Sequence, residues 1–224
     1  LSTNNGSSWT AISSNMSNTY VFDLAVSDTN LFAGTTNDGG VFLSTNNGAS
    51  WTAVNTGLTN RYVSSLSVNG TNLFAGTDGG GVFHSTNNGT GWTVVNTGMT
   101  NASVYCMAIS GSNLFAGTGR AGVFITTDNG TNWSSVSEGL ATGYIQAVAV
   151  NGANLFAGPY GYGVYRSTNN GTSWTEVNTG LTSNYIQAFA VSGANIFTGT
   201  SDDGVFLSTD NGSNWTAVNT GLTN

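Results

Sequence analysis

Apolar and polar residues alternate in short runs along the chain, and the same order of runs returns at a fixed spacing. One unit contains an alternating stretch from Tyr62 to Val68, a turn, the run Asn72 to Thr77, a glycine loop, and a closing segment that ends near Trp92. Runs of β-branched and aromatic residues bounded by Gly, Asn and Asp are typical of strands. With one proline and no 3.6-residue period, no helices are expected. The pattern predicts four short strands per unit.

The unit length follows from the tryptophans, which are separated by 42 residues once and then by 41 each time. Four strands in about 41 residues match one blade of a β-propeller, whose blades are four-stranded antiparallel sheets. The 224 residues therefore predict an all-β fold of five complete repeats and a half repeat at the N-terminus. All six tryptophans take part in this spacing: Trp9, Trp51, Trp92, Trp133, Trp174 and Trp215.

The first strand of each unit indicates how the blades pack. In the first unit, Val21, Asp23 and Ala25 are assigned to one face, and the larger Leu24 and Val26 to the opposite face. Successive side chains of a strand point to opposite faces. A sheet with a small-residue face and a large-residue face stacks head to tail on copies of itself, and such stacking at a fixed rotation closes into a ring.

The number of parts is uneven, because six tryptophan segments accompany only five Leu/Ile-Phe-Ala/Thr-Gly strands. We assign residues 1–18 to a half repeat and residues 19–224 to a five-bladed propeller. The half repeat nearly duplicates residues 207–224, so the two segments would compete for one edge. Three outcomes remain open: five blades close and the half repeat is spare, the chain is part of a longer array, or the surplus edge pairs with another molecule. The closed ring is the expected one.

The segment Ser-x-Asn/Asp-x-Gly-x-x-Trp recurs six times and resembles the Asp-box, or BNR, repeat of propellers in sialidases, sortilin-type receptors, xyloglucan hydrolases and photosystem assembly factors. The resemblance implies that the Asn or Asp side chain caps a hairpin turn, glycine permits a positive φ, and tryptophan packs beneath the turn. It implies a structural role for these residues and leaves function open. The motif positions are Asn4, Trp9, Asn46, Trp51, Asn87, Trp92, Asp128, Trp133, Asn169, Trp174, Asp210 and Trp215.

Charge and composition exclude several classes of function. The chain carries 10 acidic and 3 basic side chains, a net charge of −7, and only 6% charged residues. Too few cations are present to neutralise nucleic-acid phosphates or an anionic membrane, so neither partner is expected. No apolar run of about 20 residues and no leader pattern occurs, so we expect a soluble chain, mature or truncated. A single cysteine cannot form an internal disulfide.

Differences between the repeats collect in two loops, one leading into the first strand and one between the second and third strands. In a propeller both open on the same face around the central channel. Aromatic rings beside Asp, Arg and Gln suit sugars, although exposed loops also vary without function. Phe22, Tyr105, Gln146 and Gln187 belong to the strand ends at this face. The candidate ligand-binding residues are Tyr20, Asp38, Arg61, Tyr62, Asp78, Arg120, Tyr144, Tyr160, Tyr162, Tyr185, Asp202 and Asp203.

An enzyme is not expected. The Arg-Ile-Pro motif and catalytic set of sialidases are missing, and Arg166 falls near the outer hairpin. A glycoside hydrolase needs two facing carboxylates, which the loop aspartates could supply, so this remains a second alternative. No cofactor or metal is expected, since His84 has no second histidine.

Two single residues remain. Cys106 is expected to be a buried, inert thiol. Asp23 could face the channel, bind water or an ion, or pair with a neighbouring backbone.

These observations predict a non-catalytic binding module, extracellular or at a bacterial cell surface, that recognises a glycan or another surface polymer. Several equivalent sites on a repeated face would give avidity. The alternative is a structural scaffold or a self-assembling, consensus-like repeat protein without a small-molecule ligand, associating through the surplus N-terminal strand.

Overall fold

A computed structural model describes residues 1–13, 15, 16, 20–141 and 143–222. Among these residues, the regular structure consists of 20 strands in five sheets, each with four antiparallel strands in chain order. The predicted all-β fold of four-stranded blades is therefore confirmed. The boundary predicted between residues 18 and 19 lies outside the described residues.

We number the blades 1 to 5 in chain order. Blade 1 contains β1 (Val21–Ser27), β2 (Asn30–Thr35), β3 (Gly40–Ser44) and β4 (Thr52–Ala53), and blade 2 contains β5 (Val63–Asn69), β6 (Asn72–Thr77), β7 (Gly81–Ser85) and β8 (Thr93–Val94). Blade 3 contains β9 (Val104–Ser110), β10 (Asn113–Thr118), β11 (Val123–Thr126) and β12 (Ser134–Ser135). Blade 4 contains β13 (Ile145–Asn151), β14 (Asn154–Pro159), β15 (Tyr165–Ser167) and β16 (Thr175–Glu176), and blade 5 contains β17 (Ile186–Ser192), β18 (Asn195–Thr200), β19 (Val205–Ser208) and β20 (Thr216–Ala217).

The blades stack as predicted, small face against large face. The first strands of successive blades contact one another. A Cβ placed on Gly34 of blade 1 would lie 2.7 Å from Val63 and 3.3 Å from Leu66 of blade 2. Only a residue without a side chain allows the sheets to approach this closely. The core is therefore a series of clusters between neighbouring blades, each built from both.

One detail of the face assignment was wrong. The pairing of Val63 with Thr77 and of Ser65 with Gly76 leaves Ser64 as an extra residue, a β-bulge in the first strand. The bulge shifts the alternation by one, so Val63 lies on the large face with Leu66, and not on the small face. The same shift places Val21 with Leu24 in blade 1.

The hairpin between the third and fourth strands repeats the same turn in every unit. In blade 1, Asn46 Oδ1 accepts hydrogen bonds from Ser44 Oγ at 2.9 Å and from the Ser50 amide at 2.9 Å. Asn47 and Gly48 both have positive φ, which Asn tolerates and Gly favours. The tryptophan that follows the turn binds the preceding blade, as Trp92 Nε1 donates to the Val54 carbonyl at 2.7 Å. The hairpins thus hold the rim of neighbouring blades together.

The half repeat supplies only this outer part of a blade. Leu1 and Thr10 exchange two backbone hydrogen bonds of 2.8 Å, the pairing that Leu43 and Thr52 make in blade 1. Trp51 Nε1 donates to the Ile12 carbonyl at 2.6 Å, so residues 1–13 lie against blade 1 as the rim of a preceding blade would.

The expectation of a ring closed by five blades is wrong, because the blades form an open arc. Leu24 of blade 1 is 64% exposed, whereas its counterpart Leu66 is 6% exposed. At the other end, a Cβ on Gly199 of blade 5 would meet no heavy atom within 4 Å, in contrast to Gly34. The large face of blade 1 therefore does not cover the small face of blade 5. The sequence encodes how two blades join, but a nearly identical joint is compatible with several ring sizes.

Candidate functional site

The variable loops lie side by side on one face of the arc, which we term the mouth. In each blade, the carbonyl of the loop leading into the first strand accepts a hydrogen bond from the loop after the second strand. The Tyr160 amide donates to the Tyr144 carbonyl at 2.8 Å, and the Asp78 amide donates to the Tyr62 carbonyl at 3.0 Å. This confirms that the two loops share a face.

The β-bulges build the floor of the mouth. The extra residue of each first strand turns its side chain toward the axis of the arc, because a bulge redirects a side chain out of the regular alternation. A groove of about 390 Å³ follows these positions. The bulge residues that line it are Phe22, Ser64, Tyr105, Gln146 and Gln187.

Blades 3, 4 and 5 bring tyrosines together above this floor. The rings of Tyr105 and Tyr144 are 5.8 Å apart between centroids and tilted by 53°, and those of Tyr160 and Tyr185 are 5.1 Å apart in an edge arrangement. Tyr105, Tyr144, Gln146 and Tyr160 together line a cavity of about 340 Å³. We call these four residues and Tyr185 the tyrosine cluster. The amide of Gln146 adds two donors and an acceptor beside the rings.

Arg120 extends the cluster at its edge. Its guanidinium carbon lies 5.7 Å from the centroid of the Tyr144 ring, and Nη2 donates to the Tyr144 hydroxyl at 3.2 Å. This hydrogen bond raises the pKa of Arg120. Burial raises the pKa of the Tyr105 hydroxyl, and the nearby Asp78 carboxylate adds to the shift.

The loop aspartates are held by hydroxyl groups. Asp78 accepts from Ser103 Oγ at 2.7 Å, Asp203 accepts from Thr182 Oγ1 at 2.6 Å, and Asp202 accepts from Ser183 Oγ. These carboxylates therefore anchor the loops that carry them. Within the described ranges, no cluster of three or more His, Cys, Asp or Glu side chains could hold a metal ion.

The predicted site residues divide into two groups. Arg120, Tyr144, Tyr160 and Tyr185 meet in or beside the cluster. The others lie in the loops of the mouth but take no part in the contacts between tyrosine rings found among the described residues. They are Tyr20, Asp38, Arg61, Tyr62, Asp78, Tyr162, Asp202 and Asp203. Tyr105 and Gln146 were noted at the strand ends but not selected as candidates. The signal that could have found them is the bulge, which gives residues at this position a common direction.

The remaining single residues have structural partners. One Asp23 oxygen accepts from the Leu66 amide of blade 2 at 2.7 Å and the other from the Leu24 amide at 2.8 Å, so it pairs with a neighbouring backbone. Burial raises the pKa of Asp23 in spite of these bonds. Cys106 is half-buried at the groove, where a buried thiol was expected, and its Sγ donates to the Ile145 carbonyl at 3.3 Å. Desolvation raises the pKa of this thiol to about 12, so the reactive thiolate does not form at neutral pH.

His84 and Arg166 lie away from the mouth. The His84 ring stacks on Phe74 with 4.7 Å between centroids and is half-buried. Burial lowers the pKa of His84. Arg166 Nη1 donates to the Asn211 carbonyl at 2.8 Å and so ties the rims of blades 4 and 5 together.

Comparison with known proteins establishes the fold of the chain but does not assign it to a family. No protein-family profile matches the chain, and neither does any curated protein sequence. Among solved structures, an ancestral GH74 enzyme is similar, with a TM-score of 0.74 and 21% identity over 91% of this chain and 31% of that chain. The structure of YCF48 bound to D1 peptide is also similar, with a TM-score of 0.68 and 17% identity over 89% of this chain and 68% of that chain.

A third similar structure is the extracellular domain of a one-component system from B. thetaiotaomicron, with a TM-score of 0.70 and 20% identity over 84% of this chain and 27% of that chain. The chain thus spans about a third of the GH74 enzyme. No helix among the described residues has the length and apolar character needed to cross a bilayer. At these identities the likeness carries the architecture alone: the chain is a β-propeller array of four-stranded blades.

Proposed function

We propose that the chain is a non-catalytic binding module that recognises a glycan, or another hydroxyl-rich surface polymer, through the tyrosine cluster. The observation that carries this proposal is the cavity of about 340 Å³ lined by Tyr105, Tyr144, Tyr160 and Gln146. The apolar faces of sugar rings pack on aromatic rings, and sugar hydroxyls need polar partners of both kinds.

The exposure of the rings supports the same function. Tyr144 is 39% exposed, Tyr160 46% and Tyr185 41%. These rings are fixed on one side by the contacts within the cluster and remain accessible on the other. A rigid, accessible aromatic surface loses little conformational entropy when it binds a ligand. Large apolar side chains left exposed together in this way are typical of binding sites.

A catalytic role has less support. Three of the loop aspartates accept hydrogen bonds from Ser or Thr hydroxyls of a neighbouring loop, so these carboxylates already have a structural role. The similarity to a GH74 enzyme concerns about a third of that protein. We therefore keep glycoside hydrolysis as an outcome of the experiment and not as the proposal.

The proposal includes an extracellular or cell-surface location. The Asn- and Thr-rich composition, the low share of charged residues (6%) and the single cysteine support it, and one similar structure is an extracellular domain. We further assign the rim hairpins to the Asp-box type. The support is their turn, in which an Asn or Asp side chain accepts the amide four residues later, as Asp128 accepts from Asn132 at 2.9 Å.

The experiment is a glycan-array screen followed by titration calorimetry on the best-binding oligosaccharide. Tyr160→Ala removes a ring of the cavity, and we expect affinity to fall about tenfold, the equivalent of ~1.4 kcal/mol. Tyr162→Ala is the matched control, because Tyr162 is in the same loop with similar exposure but does not line the cavity. We expect it to bind within twofold of the unmodified chain.

Three results would contradict the proposal. The first is binding to no glycan on the array. The second is an equal loss of affinity in Tyr160→Ala and Tyr162→Ala, which would remove the cavity as the site. The third is release of reducing ends from the bound oligosaccharide, which would replace a binding module with a hydrolase.

A further inference from the structure

The two ends of the arc each leave one sheet face uncovered. At the N-terminal end, Val21, Leu24 and Val26 of blade 1 are 47%, 64% and 61% exposed. Val21 and Leu24 line an apolar cavity of about 310 Å³ together with Met16, Ala33 and Trp51. At the C-terminal end, Val218 and Leu222 are 39% and 60% exposed. Exposed apolar surface of this kind marks a site of contact with another molecule.

These uncovered residues occupy positions that are buried elsewhere in the chain. Leu24 corresponds to Leu66, which is 6% exposed, and Val21 corresponds to Val63, which is fully buried. Val218 corresponds to Val54, which is 9% exposed. Leu222 corresponds to Leu58, which is 3% exposed. Each end of the arc is therefore one half of the joint that connects neighbouring blades.

The complete joint has two parts, as the contact of blade 1 with blade 2 illustrates. In the inner part, Val63 and Leu66 pack on Gly34. In the outer part, the Trp92 indole donates to the Val54 carbonyl at 2.7 Å, and the Trp92 amide donates to the Thr56 carbonyl at 2.9 Å. The same indole bond recurs at the other three joints, from Trp133, Trp174 and Trp215 at 2.8 Å each.

The N-terminal end and the C-terminal end carry complementary halves of this joint. Blade 1 presents the large face with Val21 and Leu24. Blade 5 presents the small face, where a Cβ on Gly199 would meet no heavy atom within 4 Å. A Cβ on Gly158, the corresponding glycine of blade 4, would lie 2.6 Å from Ile186 of blade 5. The space beside Gly199 is thus the space that a following blade occupies.

We propose that two copies of this chain associate head to tail, with the small face of blade 5 in one copy covering the large face of blade 1 in the next. Gly199 of one copy would receive Val21 and Leu24 of the next copy. We identify the partner as a second copy of this chain because the four joints between blades within the chain already pack a small face against a large face. Such a contact uses two different surfaces, so it builds a ring of copies or an open chain.

In the single chain, residues 1–13 occupy part of the surface of blade 1 that blade 5 of another copy would contact. Ile12 accepts the Trp51 indole bond that Val218 of another copy would accept instead. Residues 1–12 and 207–218 differ at only three positions, namely 4, 8 and 12 against 210, 214 and 218. The half repeat is therefore a competitor that covers the outer part of the joint but not Leu24. For two copies to associate, the rim of blade 5 from one copy must displace the half repeat from blade 1 of the other.

The experiment is sedimentation velocity of the full chain over a range of concentrations, with one variant for each face. Gly199→Val fits the isolated arc, because no heavy atom lies near its Cβ and its backbone is not in the left-handed region. It would, however, obstruct Leu24 of another copy. Leu24→Glu places a charge on an exposed position of the other face. We expect the unmodified chain to form larger species, and each variant alone to lose at least tenfold in association constant.

A mixture of the two variants makes the test specific. Leu24→Glu retains an intact blade 5 face and Gly199→Val retains an intact blade 1 face, so an equimolar mixture is expected to stop at a dimer. Thermal unfolding confirms that both variants fold. Gly158→Val is the matched comparison, because the same substitution at an occupied joint is expected to lower the unfolding temperature. An unmodified chain that remains monomeric at every concentration would overturn the proposal, and so would association that neither variant weakens.

Discussion

The rim and the mouth of the arc use the same repeat for different purposes. At the rim, each hairpin has nearly the same residues and the same bonds, from Ser44 and Asn46 in blade 1 to Ser208 and Asp210 in blade 5. At the mouth, the backbone is equally regular, but the side chains differ from blade to blade. Regular bonds at the rim hold the blades together, whereas the varied side chains at the mouth are free to form a binding site.

The mouth itself is not uniform. The bulge position carries Ser64 in blade 2 but Tyr105 in blade 3 and Gln146 in blade 4. Tyr144 and Tyr160 of blade 4 and Tyr185 of blade 5 complete the cluster, while Tyr62 in blade 2 is 49% exposed outside it. One scaffold therefore carries a region rich in aromatic rings beside a region without such a cavity. The proposed binding site is built from residues that differ between the repeats.

The largest effect is expected from the rim tryptophans. Trp174 is 6% exposed and its indole donates to the Val136 carbonyl at 2.8 Å. Trp174→Ala leaves a cavity and an unpaired carbonyl, so we expect the free energy of unfolding in urea to fall by about 3–5 kcal/mol. Trp9→Ala is the matched control, since Trp9 is 76% exposed; its effect should stay within about 0.5 kcal/mol.

Glycan affinity provides a second test of the different roles assigned to the rim and the mouth. At temperatures where Trp174→Ala remains folded, we expect its affinity to be unchanged, because Trp174 lies at the rim. A loss of affinity in that variant with no loss of stability would reverse the roles given to rim and mouth.

A smaller effect separates acidic from neutral rim turns. Asp210 accepts hydrogen bonds from the Asn214 side chain, the Asn214 amide and Ser208 Oγ, and these lower its pKa from 3.8 to about 2. Since the folded chain holds the ionised form more strongly than the unfolded chain, the stabilisation is complete above pH 3.8 and is lost as the pH falls toward 2.

Asp210→Asn should retain the turn, because Asn46 makes the corresponding bonds to Ser44 and Ser50 in blade 1. We expect the variant to lose less urea resistance than the unmodified chain between pH 5 and pH 2.5, with little difference at pH 7. Parallel pH profiles for the two proteins would show that the turn carboxylate does not contribute. The measurement is the urea midpoint at each pH.

The sequence was sufficient to predict how neighbouring blades pack, but it was not sufficient to predict whether the five blades close into a ring. Local runs and turn residues specified the strands, and the small and large faces specified the stacking of Leu66 on blade 1. Val21 was assigned to the wrong face because a one-residue bulge is not visible in an alternating pattern. Ring closure was wrong because it depends on a small rotation per blade, which nearly identical joints do not reveal.

The candidate site was predicted in part for a related reason. The loops were identified by their variation, and Arg120, Tyr144 and Tyr160 do meet. Tyr105 and Gln146 belong with them because bulges direct both side chains toward the axis of the arc. Which of many exposed tyrosines converge depends on the curvature of three successive blades, and no single repeat contains that information.

Hydrogen–deuterium exchange with and without the best-binding oligosaccharide tests most directly the proposal that the tyrosine cluster binds a glycan. We expect added protection at the mouth of blades 3 to 5, in residues 103–106, 144–147 and 160–162, and unchanged exchange in the rim hairpins. Protection confined to the rim hairpins, or no change at these three segments while the oligosaccharide is bound, would contradict the tyrosine cluster as the binding site.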